Sequence, residues 1–157
     1  MEKYVISEMN NKNFSEAVNK IYLLTDYNHE QYPEYCKWFY TKNVPRIFDG
    51  TGEMIFYLDG FQIVGLSILK KDELEKKICT LLINEEYRKK GYSKQILEDS
   101  FKYLETEKPL ITIPEKRIEE FSSIIKAYDW METSITNEYL SKEIIFNEQK
   151  RLTKIQK

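Results

Sequence analysis

Hydrophobic and polar positions along the chain change period several times, and each change marks an element. Tyr4-Val5-Ile6 predicts a short opening strand. Apolar residues then recur at Phe14, Ala17, Val18, Ile21 and Leu24, the spacing of one helical face. Asn13 suits the N-cap of that helix, with Glu16 three residues on as in a capping box. A second helix is expected over residues 33–42, with Tyr35, Trp38 and Phe39 on its apolar side and Trp38 and Phe39 in the core. Pro33 fits its first position and Pro45 its stop. Met54 to Leu58, Asp59-Gly60, then Phe61 to Leu69 reads as a hairpin, Asp-Gly being a preferred two-residue turn.

Charged residues 70–77 form a solvated connection to a third strand, Ile78 to Ile83, apolar enough to be covered on both faces. A helix over residues 93–104 carries Ile96, Leu97, Phe101 and Leu104 on one stripe. Pro109 to Ile113 is a short buried strand, and Pro114 starts a helix with Ile118, Phe121, Ile124, Ile125 and Tyr128 inward. Two strands, residues 131–136 and 139–146, close the domain. Strand-helix-strand units in the second half imply some parallel pairing, so the fold class is α/β, a mixed sheet with helices on both sides.

Length and composition narrow the function. At 157 residues the chain suits one domain, residues 1–146, with a polar tail at 147–157. No repeat or linker divides it. A net charge of -2 removes the basic excess on which phosphate-driven nucleic-acid binding depends. Cys79 lies in an apolar run and reads as a small buried hydrophobe, so no disulfide with Cys36 is expected. No apolar stretch nears the roughly 20 residues that cross a bilayer, and no signal-type segment follows Met1. The expectation is a cytoplasmic protein away from membranes.

Chemistry concentrates between a buried strand and an amphipathic helix, in Arg88-Lys89-Lys90-Gly91-Tyr92-Ser93. The first amides of that helix have no internal partners and carry the positive end of its dipole. Gly91 allows close approach of an oxygen, and three cations flank it, so the turn describes a pyrophosphate cradle. On its own the pattern equally describes surface charges around a chain-turning glycine.

Arg88-x-x-Gly91-x-Ser93 resembles the Arg/Gln-x-x-Gly-x-Gly/Ala signature of the GNAT acetyltransferase superfamily, with Leu81-Leu82-Ile83, Tyr87 and Ile96-Leu97 agreeing on either side. Ser93 departs from the usual Gly or Ala. The resemblance, over residues 14–146, implies a splayed central sheet of the acyl-CoA N-acyltransferase type, with a cleft between residues 78–83 and 110–113. It implies acetyl-CoA as cosubstrate: backbone groups near Leu82 and Ile83 on the pantetheine arm, Arg88, Lys89, Lys90, Gly91, Tyr92 and Ser93 on the pyrophosphate, and no metal.

The implied reaction is direct acetyl transfer to a primary amine of a small molecule, a peptide, or an aminoacyl group such as that of a charged tRNA. An ammonium of pKa about 10.4 must first lose a proton to a base. An acid then protonates the thiolate. Many relatives use a tyrosine, and aligning on Trp130 puts Ile125 at its place. Tyr128 and Tyr139 are the alternative acids, each equally a core tyrosine. His29, with Glu30 and Tyr32, lies in the region that overhangs the acceptor site in that family and is a candidate base, or only part of a polar turn. The competing function is a non-catalytic acyl-CoA-binding or protein-interaction module, and homodimerisation stays open. A basic-loop contact to nucleic acid, with the tail 150–157 recruited, has no interleaved aromatics to support it.

Overall fold

The computed structural model describes residues 1–88, 91–138 and 141–149. Strand β1 (Glu2–Val5) precedes helix α1 (Asn11–Thr25). Helices α2 (Tyr35–Trp38) and α3 (Val44–Asp49) lead into strands β2 (Gly52–Asp59), β3 (Gln62–Lys71) and β4 (Lys76–Ile83). Helix α4 (Tyr92–Leu104), strand β5 (Ile111–Pro114), helix α5 (Ser122–Ala127) and strands β6 (Glu132–Thr136) and β7 (Glu143–Phe146) complete the chain. The strands form two antiparallel sheets, β1-β2-β3-β4 and β5-β7-β6.

One parallel bridge, Lys77 to Leu110, joins the two sheets. There Ile78 N–H donates to the Leu110 carbonyl at 3.0 Å and Leu110 N–H to Lys76 at 2.8 Å. No further backbone bond ties β4 to β5 among the described residues, so the central sheet splays beyond that point. The parallel pairing expected from the element order is confined to this bridge. A bulge in β4 starts the divergence: Ile68 faces Thr80 and Leu69 faces Ile78, which leaves Cys79 without a partner.

Both sheet faces are covered. Ile96, Leu97, Phe101 and Leu104 of α4 pack on Leu69, Leu81, Ile83 and Trp130. Val18, Ile21, Tyr35 and Phe39 pack on Met54, Phe56, Leu66 and Ile68 on the other face. Hydrophobic periodicity thus located both helical layers, and the departures are local. Helix α1 starts earlier than the Asn13 cap, because Asn10 accepts from Asn13 N–H at 3.0 Å and so caps the preceding polar turn. Pro45 does not stop the second helix. A π-turn at Phe39–Asn43 widens the backbone spiral, and Pro45 falls in the first turn of α3, where no N–H is needed. The chain stays helical to Gly50, which ends it at φ +83°. The hairpin turn is Gly60-Phe61 rather than Asp59-Gly60: Asp59 pairs with Gln62, and Gly60 supplies the positive φ. Residues 115–121 wind as a 3₁₀ helix before α5, with Phe121 buried.

Gly65 on β3 lies directly under α4. A Cβ there would sit 2.3 Å from Ile96 Cδ1 and 3.2 Å from the Leu82 carbonyl. Gly65→Ala is expected to destabilise the protein by about 1–3 kcal/mol, read as a melting shift of about 2–4 °C per kcal/mol. An unchanged melting temperature would show that Ile96 moves aside freely.

Candidate functional site

The splay leaves an unpaired edge of β4. Asn84 N–H donates to Val64 on β3 at 2.8 Å. Alternation along an antiparallel strand therefore turns the amides of Leu81 and Ile83 toward the open side. This refines the expected contact region at Leu82 and Ile83: the Leu82 amide belongs to the β3 side.

At the end of β4 the Asn84 side chain accepts from Glu86 N–H, and a 3₁₀ turn, Glu85–Tyr87, carries the chain into the basic loop. Arg88 folds back, its Nε donating to the Ile83 carbonyl at 3.2 Å, and its terminal nitrogen is 3.9 Å from Glu120. Gly91 is the N-cap of α4 at φ +82°, with nothing within 4 Å of where a Cβ would stand. The first amides of α4 consequently face outward with the positive end of the helix dipole behind them. Ser93 Oγ, at 3.5 Å from the Arg88 carbonyl, reaches back across this turn. Tyr92 packs on Tyr87 with ring centroids 5.4 Å apart. Lys89 and Lys90 lie outside the described residues.

Between β4 and β5 is a narrow slot of about 30 Å³, lined by Thr80, Leu81, Ile111, Ile113 and Phe121 among others. Beside it opens a cleft of about 700 Å³, bordered by Tyr32, Trp38, Thr80, Thr112, Thr136 and Glu143. Cys79, at the bulge, borders both, and burial pushes its thiol pKa up. Asn28 also borders both, and its buried Nδ2 has no protein partner.

Glu143 is the most unusual group in the cleft. It is only 1% exposed, and it opens β7 opposite Pro114 and Thr136. Tyr32 donates its hydroxyl hydrogen to the Glu143 carboxylate. Burial raises the pKa of Glu143 above the ordinary carboxylate range, against the opposing pull of the Tyr32 bond and of Lys77. The overhanging segment is anchored by Gln31, whose Nε2 donates to the Ser141 carbonyl at 3.0 Å. Arg117 stacks over the Tyr27 ring at 5.3 Å and pairs with Glu120 at 3.1 Å, holding the same segment to the chain after β5.

The structure separates the sequence candidates. His29 is exposed, its Nδ1 2.5 Å from the Asp26 carbonyl. Tyr128 packs edge-on against Phe101 at 4.9 Å, in the core beneath α4. Neither borders the slot or the cleft. Tyr139 lies outside the described residues. Ile125 packs against the same core as Tyr128. Tyr32 is brought to the cleft, and Trp38, expected in the core, forms part of its wall. Glu143 was missed. Its signal was a lone acid heading the run Ile144-Ile145-Phe146, where alternation turns one side chain in two inward. Among the described residues no cluster of three or more His, Cys, Asp or Glu is placed to hold a metal, and no helix is long and apolar enough to cross a membrane.

No protein-family model matches the chain, and no curated protein sequence does. Solved structures do. Escherichia coli ElaA superposes with a TM-score of 0.56 at 13% identity, over 94% of this chain and 99% of its own. A Bacillus subtilis acetyltransferase in complex with CoA gives 0.55 at 15% identity, over 92% and 95%. A Desulfovibrio desulfuricans protein assigned to the GNAT family of acetyltransferases gives 0.52 at 8% identity, over 68% and 73%. At these identities the likeness concerns architecture alone. The chain has the fold of the GNAT family of acetyltransferases.

Proposed function

We propose that this protein is a cytoplasmic N-acetyltransferase that moves the acetyl group of acetyl-CoA directly to a primary amine. The observation that carries the reading is the splay of β4 from β5, with the N-terminus of α4 following the end of β4 and a buried carboxylate bordering the cleft beside the splay. In this reading the pyrophosphate rests on the amides that open α4, at Gly91, Tyr92 and Ser93, beside Arg88, Lys89 and Lys90. The outward amides of Leu81 and Ile83 hold the pantetheine arm and polarise the thioester carbonyl. A structure of the same fold in complex with CoA supports the choice of cosubstrate.

Glu143 is the base. It accepts a proton from the ammonium, the freed lone pair forms the C–N bond at the acetyl carbon, and the C–S bond breaks to release CoA thiolate. A second proton, from the amine nitrogen after attack, leaves with the thiolate or to solvent. Tyr32 holds the carboxylate toward the cleft. The raised pKa of Glu143 makes it a stronger base than an exposed carboxylate.

The pH profile follows with a definite sign. The ionised form is the active one, so kcat should rise with pH through a limb lying above the ordinary glutamate range. Steady-state rates between pH 5 and 8 would check this, and a flat profile would count against Glu143. The activity itself is tested by following free thiol from acetyl-CoA with and without a panel of primary amines. Amine-dependent thiol release supports the reading. CoA binding without turnover of any amine would favour a binding module, a reading to which the absence of a hydroxyl at Ile125 lends some weight.

A further inference from the structure

The larger cleft is lined by charges of both signs. One wall is the helical segment from α2 through α3, where Glu34, Lys37, Trp38, Thr41, Lys42 and Arg46 recur at the three- and four-residue spacing of a single face. From Lys37 to Arg46 this face runs for about 13 Å at helical rise. Lys77 of β4 also lines the cleft, where it opposes the burial that raises the Glu143 pKa. None of Lys37, Lys42, Arg46 or Lys77 makes an ion pair among the described residues, whereas Lys70 beside them is spent on Glu75 at 2.7 Å and Asp72 at 3.4 Å. The acids Glu143 and Glu138 line the same cleft from a different element, on and before β7.

The chain carries 24 basic against 26 acidic residues, so three unpaired cations along one cleft wall are a local arrangement and not overflow from a basic protein. Among the cleft's charges, Lys77, Arg46 and Lys70 each oppose, and Glu75 reinforces, the burial that raises the Cys79 thiol pKa. The volume of about 700 Å³ is that of a small-molecule site. Trp38 adds an apolar surface to the lining.

We propose that the acceptor is a small primary amine carrying an anionic group, carboxylate or phosphate, at its far end, with the amine at Glu143 and the anion on Lys37, Lys42 and Arg46. This rests on the acetyltransferase reading and narrows its substrate class. A purely cationic polyamine would place its second ammonium against the basic wall. A neutral amine would leave that wall unused.

The test is a matched five-carbon series with acetyl-CoA: pentylamine, 1,5-diaminopentane, 5-aminopentanoate and 5-aminopentyl phosphate. Expected kcat/KM for the two anionic acceptors exceeds that for pentylamine by about tenfold or more, the worth of one charge-assisted contact, with diaminopentane slowest. Which of the two anionic acceptors is faster distinguishes carboxylate from phosphate. Arg46→Glu and, separately, the more exposed Lys42→Glu should each abolish that preference through KM, while calorimetric acetyl-CoA affinity stays unchanged. Lys20→Glu, exposed on α1, should alter nothing. Diaminopentane matching the anionic acceptors, or a preference that survives both reversals, overturns the proposal. Acetyl-CoA binding with turnover of none of the four also overturns it. Failure to bind acetyl-CoA at all instead removes the acetyltransferase reading, and this proposal with it.

Discussion

Glu143→Gln should lower kcat by about 10²- to 10⁴-fold, the range for losing a positioned general base, with acetyl-CoA affinity unchanged. Gln keeps the volume and can still accept the Tyr32 hydroxyl, so packing and the β5-β7 pairing survive. What it cannot do is take a proton. The variant should also lose the acidic limb that ionisation of Glu143 imposes. Its stability moves the opposite way. A carboxyl with a raised folded pKa binds its proton more tightly folded than unfolded, so its contribution falls as pH rises past the ordinary carboxylate range. At neutral pH Glu143→Gln should therefore be as stable as the native protein or slightly more so. A variant that melts normally yet turns over at the native rate would transfer the base role to another group or to water.

Gly91→Glu should weaken acetyl-CoA binding by more than about 100-fold. Two causes combine: a side chain at φ +82° strains the turn by about 1–3 kcal/mol, and a carboxylate is brought to the positive end of α4 where phosphate would sit. Gly91→Ala separates them. No atom lies within 4 Å of the added Cβ, so Ala meets only the backbone penalty. Its binding should be reduced modestly and remain measurable. Equal losses in both variants would show that loop shape alone governs the site, without electrostatic help from the helix.

Sequence patterning was most informative where periodicity is set by burial. The stripe Ile96, Leu97, Phe101, Leu104 and the apolar β3-β4 pair are each dictated by one face turned to a core, and they appear as expected. Capping and turn positions were less legible, because several polar residues compete for them. Asn10 prevails over Asn13, and Gly60-Phe61 over Asp59-Gly60, through choices of a few tenths to one kcal/mol that depend on register. Pro45 misled for a different reason: a π-turn is invisible to a 3.6-residue template.

The site divides in the same way. The proposed anion seat is contiguous in sequence, so strand, loop and helix could be recognised together. The cleft is assembled from residues far apart: Tyr32 and Glu143 are separated by 111 positions, and local pattern contains nothing that joins them. His29, the only histidine, drew notice by residue type, yet its ring is turned to the Asp26 carbonyl on the surface.

Titration calorimetry of the purified protein with acetyl-CoA, alongside desulfo-CoA and ADP, tests the central claim most directly. The account predicts one site of micromolar affinity for acetyl-CoA, weaker binding of ADP through the pyrophosphate seat alone, and loss of heat in Gly91→Glu. Absence of binding by the native protein, or binding that Gly91→Glu leaves intact, would contradict it.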